Sequence, residues 1–364
     1  MRRGERSGGE AAGALPGAAG ADPQLVGRLL SEELHDERWR DPQVVLIAGG
    51  RSNLTYSVRS EAGELILRRP PLGGILPTAH DMTREYRVLS ALHGSAVPVP
   101  RTLHLWDADA GLGVAFYAME RVLGHVCRER LPVGYAAGAQ QRAAVGEALI
   151  AVLAALHTLD PRELGLADFG RPQGFMERQL RRWSEQWERS RTQAHPALEK
   201  LRAALAARVP APARAALLHG DYRLDNTVLH ASRPGEIVAV LDWEMSTLGD
   251  PLADLGTLLA YWSESGDDEL RVRARVFPAV TAQPGFPRRD QLIEAYARRT
   301  GLDVSGLAWY EAFAFFKLAV ICQGVLARAA GGAMPAADAQ PDQGLVDALV
   351  ALGERQLQRA ACAN

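Results

Sequence analysis

The chain has 364 residues, of which 47% are apolar and 23% charged, with a formal net charge of −2. This excludes a wholly disordered chain and allows a sizeable core. A near-neutral total gives no general electrostatic case for nucleic acid or an anionic membrane surface as a partner. The three cysteines, Cys127, Cys322 and Cys362, are far apart and show no CxxC spacing. A disulfide framework or zinc site is therefore not expected, and a reducing, cytoplasmic setting fits best.

Residues 1–21 are rich in Gly and Ala and lack the apolar core of a secretory signal, so they read as a disordered tail. Pro23–Trp39 has helical spacing through Leu25, Leu29, Leu30 and Leu34. Short β-branched runs follow at Val44–Ile47, Thr55–Val58 and Leu65–Leu67, with Gly49-Gly50-Arg51-Ser52-Asn53 as a turn between the first two. Ala79–Leu92 reads as a helix, and Val97-Pro98-Val99-Pro100 as extended chain. Two more strands lie near Thr102–Asp107 and Gly113–Met119, so residues 22–122 predict an antiparallel, β-rich lobe. From Ala139 helices dominate: Ala139–His157, Gly174–Thr192, Pro196–Ala207, Asp250–Tyr261, Arg288–Thr300, Trp309–Ala330 and a last one near Leu345–Gln358. Short apolar strands at Ala216–Leu218 and Ile237–Leu241 interrupt them. Residues 123–364 thus predict a larger helical lobe, and the boundary near 122 is where a ligand cleft is expected. No uncharged run reaches the about 18–20 apolar residues of a membrane span. Ala308–Ala330 comes nearest, is interrupted by Glu311, Lys317 and Gln323, and reads as a buried helix.

The chemistry is concentrated in Leu218-His219-Gly220-Asp221-Tyr222-Arg223-Leu224-Asp225-Asn226 and in Leu241-Asp242-Trp243-Glu244. Phosphoryl transfer from ATP needs a carboxylate to orient and deprotonate the attacking hydroxyl, and oxygen ligands for Mg²⁺. Asp221 suits the first task, and Asn226 with Asp242 the second. The spacing of Asp221 and Asn226 matches the Asp-to-Asn spacing of a kinase catalytic loop.

His-Gly-Asp-x-x-x-x-Asn followed by Leu-Asp-Trp-Glu resembles the aminoglycoside phosphotransferase and choline-kinase-like family. The resemblance implies an α+β, bilobal, protein-kinase-like fold, with ATP and Mg²⁺ as cofactors and a small hydroxylated molecule as partner. By the same resemblance Gly49, Gly50, Ser52 and Asn53 belong to the loop that covers the phosphates. Arg68 stands where an ATP-binding lysine is usual, with Glu85 placed to pair with it; alternation puts Ile66 and Arg68 on one strand face. The backbones of Glu120 and Val122 would hold adenine. His219 is implied as a loop-holding residue. Asp250, before Pro251, is read as a helix cap, and Asp254 as a buttress of the catalytic loop. His157 reads as a packing residue.

Leu67-Arg68-Arg69-Pro70-Pro71, Leu76–Met82 and Leu241–Met245 look like the branch that includes kinase-like domains fused to acyl-CoA dehydrogenases. That branch implies a hydroxyacyl-CoA as acceptor. The helix bearing Arg178, Arg181, Arg182, Arg189 and Arg191 is basic, which suits an anionic acceptor better than a polycationic aminoglycoside. An antibiotic O-phosphotransferase and a nucleotide-binding module without turnover are the alternatives.

Overall fold

The computed structural model describes residues 20–47, 53–72, 81–211, 214–330 and 341–362. The segments are α1 (Pro23–Glu33), β1 (Gln43–Leu46), β2 (Leu54–Ser60), β3 (Gly63–Arg69), α2 (Met82–Leu92), β4 (Thr102–Trp106) and β5 (Phe116–Glu120). Then come α3 (Ala139–Thr158), α4 (Phe175–Ser190), α5 (Pro196–Ala207), β6 (Ala216–Leu218), β7 (Thr227–Leu229), β8 (Ile237–Val240) and β9 (Thr247–Gly249). The chain closes with α6 (Leu252–Tyr261), α7 (Glu269–Arg273), α8 (Arg289–Thr300), α9 (Leu307–Ala330) and α10 (Gln343–Cys362). The described residues fall into two units: one of those up to Ser90 with Pro100–Arg121, the other of Ala91–Val99 with those from Val122 onward.

The first unit is an antiparallel sheet ordered β1-β2-β3-β5-β4. Strand alternation divides its residues between two faces. Tyr56, Val58, Leu65 and Leu67 pack with Val26 and Leu30 of α1, Trp39, and the stacked pair Trp106 and Phe116, whose centroids lie 5.1 Å apart. Ile66 and Arg68 fall in the opposite phase of β3, across from Met119 and Tyr117 of β5. Two sequence expectations change here. Helix α1 ends at Glu33 rather than Trp39, because Asp36 accepts the Arg38 N–H at 3.1 Å and starts a separate 3₁₀ turn that inserts Trp39 into the core. Ala21, assigned to the tail, is fully buried, and the Arg69 guanidinium donates to the Gly20 carbonyl. The rest of that tail, residues 1–19, lies outside the described residues.

The second unit is mainly helical. Helix α9 is its centre, packed by α10, α6, α4 and α5, while α3 packs on α8 and β6. By length and composition α9 could cross a membrane, but 61% of its most apolar stretch is buried. Its buried Glu311 pairs with Arg271 at 3.5 Å. A central core helix accounts for both observations. Residues 91–99, read from sequence as part of the β-rich lobe, group with this unit; the Val240 N–H donates to the Pro98 carbonyl at 2.8 Å. Two small antiparallel pairs, β6 with β9 and β7 with β8, carry the His219–Asn226 and Asp242 segments. Strands β7 and β9 have three residues each, too short to show a period in the sequence.

Candidate active site

In the first unit, Arg68 on β3 and Glu85 on α2 form an ion pair at 3.0 Å, with 11% and 2% of their side chains exposed. This is the pairing anticipated from sequence. Buried charges need such a partner, because desolvation is otherwise uncompensated. Asn53 is also buried, and its amide donates to Glu85 at 3.4 Å. Its side chain therefore steadies the ion pair; the loop role expected for it is shared with Gly49, Gly50 and Ser52, which lie outside the described residues. Glu120 is the last residue of β5, and its side chain accepts the Arg101 N–H at 3.0 Å. Val122, expected beside it at adenine, begins the long stretch of the second unit.

In the second unit, the loop from His219 to Asn226 is fixed from several directions. Gly220 has φ +87°, and a Cβ there would meet the Met245 carbonyl oxygen at 2.6 Å, so only glycine fits. Both oxygens of buried Asp254 accept backbone N–H groups, from His219 at 2.7 Å and Gly220 at 2.9 Å. That is the buttress expected of Asp254. Burial works against its charge, yet hydrogen bonding and charge from His157, with His219, hold its carboxyl below the ordinary aspartate range. His157 contacts Asp254 at 3.3 Å and the Tyr296 hydroxyl at 2.7 Å. His219 is fully buried; its Nδ1 accepts the Asp221 N–H at 3.2 Å, and its Nε2 lies 2.8 Å from the Leu241 carbonyl. It holds the loop. Asp250 accepts the Leu252 N–H at 3.1 Å and the Tyr310 hydroxyl at 2.6 Å, tying the start of α6 to α9.

The β7–β8 register explains how Asn226 and Asp242 come together. Thr227 pairs with Val240, and the Leu241 N–H donates to the Asn226 carbonyl at 2.8 Å. Asn226 therefore leaves the ladder at the same end as Asp242. The Asn226 amide nitrogen is spent on the Asp221 carbonyl at 2.8 Å and the Asp221 carboxylate at 3.1 Å. Its oxygen is thereby turned from Asp221. Asp242 adopts φ +66°, a conformation uncommon for a residue with a Cβ and one that surrounding structure must impose. An amide oxygen and a carboxylate suit Mg²⁺, which prefers oxygen and usually takes one or two carboxylates with substrate phosphates. Among the described residues there is no cluster of three or more His, Cys, Asp or Glu for a metal.

Sequence reasoning assigned no role to two cations at the Asp221 loop, Arg223 and Lys317. Arg223 bridges Asp221 at 3.2 Å and Asp225 at 3.1 Å and lies over the rings of Phe277 and Tyr261, 4.2 and 5.1 Å from their centroids. Burial disfavours its charge, but Asp221 and Asp225 together raise its pKa above the ordinary value. Lys317 reaches the loop from α9, where its ammonium donates to the Gly220 carbonyl at 3.3 Å. Arg182 of α4 acts on that ammonium electrostatically. The kinase-loop spacing could have flagged Arg223, which lies inside it; Lys317 is marked locally only as a charge interrupting the apolar run 308–330. Of the other arginines expected on this helix, Arg178 is spent on the Gln173 and Arg171 carbonyls, and Arg191, just past the end of α4, pairs with Glu188 at 3.0 Å. Much of that helix's basic character is therefore local or solvated.

The model of the phosphotransferase enzyme family APH matches residues 43–310. The chain belongs to this family. It is 35% identical over 305 residues to acyl-CoA dehydrogenase family member 10 of Mus musculus, covering 83% of this chain and 28% of that protein. Against acyl-CoA dehydrogenase family member 11 of Rattus norvegicus the identity is 36% over 290 residues, 77% of this chain and 35% of that protein. The chain thus spans about a third of the length of these curated relatives. A crystal structure from Ralstonia eutropha, of a protein provisionally described as an aminoglycoside phosphotransferase, superposes with a TM-score of 0.74 at 31% identity, over 93% of this chain and 98% of that one. A thermostable mutant aminoglycoside phosphotransferase, in ternary complex with ADP and hygromycin B, shares the fold alone: TM-score 0.56, 14% identity, over 92% of this chain and 98% of that one. The chain has the α+β protein-kinase-like fold of this phosphotransferase enzyme family.

Proposed function

We propose that this phosphotransferase uses ATP and Mg²⁺ to phosphorylate a hydroxyl group of a small anionic metabolite of the hydroxyacyl-CoA class. The observation that carries the reading is the fixed loop geometry: Asp221 is held by His219 and Asn226, with Asn226 tied to the residue before Asp242. Asp221 orients the acceptor hydroxyl and takes its proton as the new O–P bond forms and the bond to the ADP oxygen breaks. Asn226 and Asp242 would hold Mg²⁺, which when bound neutralises charge on the phosphate oxygens. Arg68, kept in place by Glu85, would steady the phosphates, and the backbones of Glu120 and Val122 the adenine. Much of the catalysis then comes from positioning and charge stabilisation.

Two findings support the acceptor class. The curated relatives are acyl-CoA dehydrogenase family members, and the Lys317 ammonium lies at the residue before Asp221. A polycationic aminoglycoside would meet the Lys317 ammonium there. The test is ATP consumption by the purified protein over hydroxyacyl-CoAs, aminoglycosides and sugars, with and without Mg²⁺. Mg²⁺-dependent turnover with a hydroxyacyl-CoA is expected. Turnover confined to aminoglycosides would overturn the acceptor class, and nucleotide binding with no turnover on any acceptor would indicate a regulatory module.

A further inference from the structure

The chain has 41 Lys and Arg residues, and just two of them, Lys200 and Lys317, are lysines. Lys200 is an exposed surface residue paired with Glu354 at 3.1 Å. Lys317 is placed differently. It lies within α9, is partly exposed, donates to the Gly220 carbonyl at 3.3 Å and sits 5.6 Å from the centroid of the Trp183 ring. Among the described residues that carbonyl is its one hydrogen-bond acceptor, and no ion pair joins it to a carboxylate.

An ammonium has three N–H donors, so two remain after Gly220 is satisfied. Even partial withdrawal of such a group from water without a carboxylate partner costs free energy. Burial lowers its pKa, and the charges of Arg182 and Arg223 act in the same direction; Asp221 and Asp254 oppose them. The donors are next to the residue that precedes Asp221. A compact ammonium with rotatable donors serves an oxygen arriving from an unfixed direction, whereas a guanidinium needs a planar partner.

We propose that Lys317 is an anion-binding residue beside Asp221, offering its two remaining N–H groups to an anionic oxygen of the transferring phosphoryl group or of the acceptor. The inference rests on the phosphotransferase reading. Lys317 keeps its proton throughout; Asp221 alone accepts the hydroxyl proton.

With two lysines in the chain, ¹⁵N-lysine labelling yields two side-chain Nζ resonances, and Lys200 is an internal control. The full-length protein is titrated with inorganic phosphate, with Mg²⁺–ADP–aluminium fluoride, and with CoA. The Lys317 resonance is expected to shift while that of Lys200 stays. A response to phosphate and the fluoride complex identifies the phosphoryl group as the source of the anion, and a response to CoA alone identifies the acceptor. No response to any of the three overturns the proposal. Inorganic phosphate tests Lys317 even where ATP is not turned over, so failure of the kinase reading stays distinguishable. Kinetically, Lys317→Met should lower kcat by about 10²–10³-fold in the phosphoryl case, or raise the acceptor KM about tenfold in the other. Lys317→Arg should recover part of either loss. Wild-type kcat and KM in a folded Lys317→Met protein would also overturn it.

Discussion

Two cations in different units are held in opposite ways. Arg68 lies 3.0 Å from a buried carboxylate, Glu85, which also takes the amide of Asn53. Lys317 has a backbone carbonyl and the face of a tryptophan. The first arrangement fixes a guanidinium at one point on a strand. The second leaves donors beside a loop whose own atoms are fixed by Asp254 and His219. The comparison teaches that rigidity is supplied in two forms: in the β-rich unit by pairing the cation itself, and in the helical unit by immobilising the backbone around it.

Substitutions can break this contrast, and the largest effect belongs to the loop. Asp221→Asn should lower kcat by about 10²–10⁴-fold, the range for a positioned base, with little change in nucleotide affinity. Steady-state kinetics with a turned-over acceptor, together with nucleotide calorimetry, measures both; near-normal kcat would remove Asp221 from the chemistry. In the first unit, Arg68→Met should cost about 3–5 kcal/mol of stability, because it leaves the Glu85 charge buried without its partner. Urea unfolding reads this directly, and a loss below about 1 kcal/mol would place the pair in the weak, exposed class.

Asp254→Asn tests whether the loop's rigidity comes from the buttress. An amide oxygen can replace one carboxylate oxygen but not both, so about 1–3 kcal/mol should be lost. The pH dependence has a defined sign. The Asp254 carboxyl titrates below its ordinary value of 3.8 in the folded protein. Its contribution is therefore complete above about that pH and disappears as pH falls through the lower folded value. The variant should show a flatter stability profile than wild type below about pH 4, in unfolding experiments run from pH 6 to 3; parallel profiles would mean that the His157–Asp254 contact stores no such energy. Smallest is Tyr310→Phe, which removes the 2.6 Å hydrogen bond to Asp250. About 1 kcal/mol is expected, measured by the same method.

Much of the fold was legible because its signals are local. The alternation of Leu65, Ile66, Leu67 and Arg68 divides two faces of a strand without further information. The apolar run from Trp309 to Ala330 marks a buried helix wherever its partners lie. What escaped was short or capped. Strands β7 and β9 have no period to read, and Asp36 ends α1 by a hydrogen bond that competes with helix. The roles of Asp254 and His219 came with the family resemblance; the bonds that give them those roles run to backbone groups 35 and 22 residues away in the chain.

By itself, the sequence named Asp221, Asn226 and Asp242 as candidates, because the Asp-to-Asn spacing and the Leu-Asp-Trp-Glu run are local patterns. Tertiary structure alone decided the surroundings of Asp221. Lys317 is 97 residues from Gly220, and only the packing of α9 brings its ammonium to that carbonyl. A point charge leaves no periodic trace in a sequence, and its partners are chosen by distance through space.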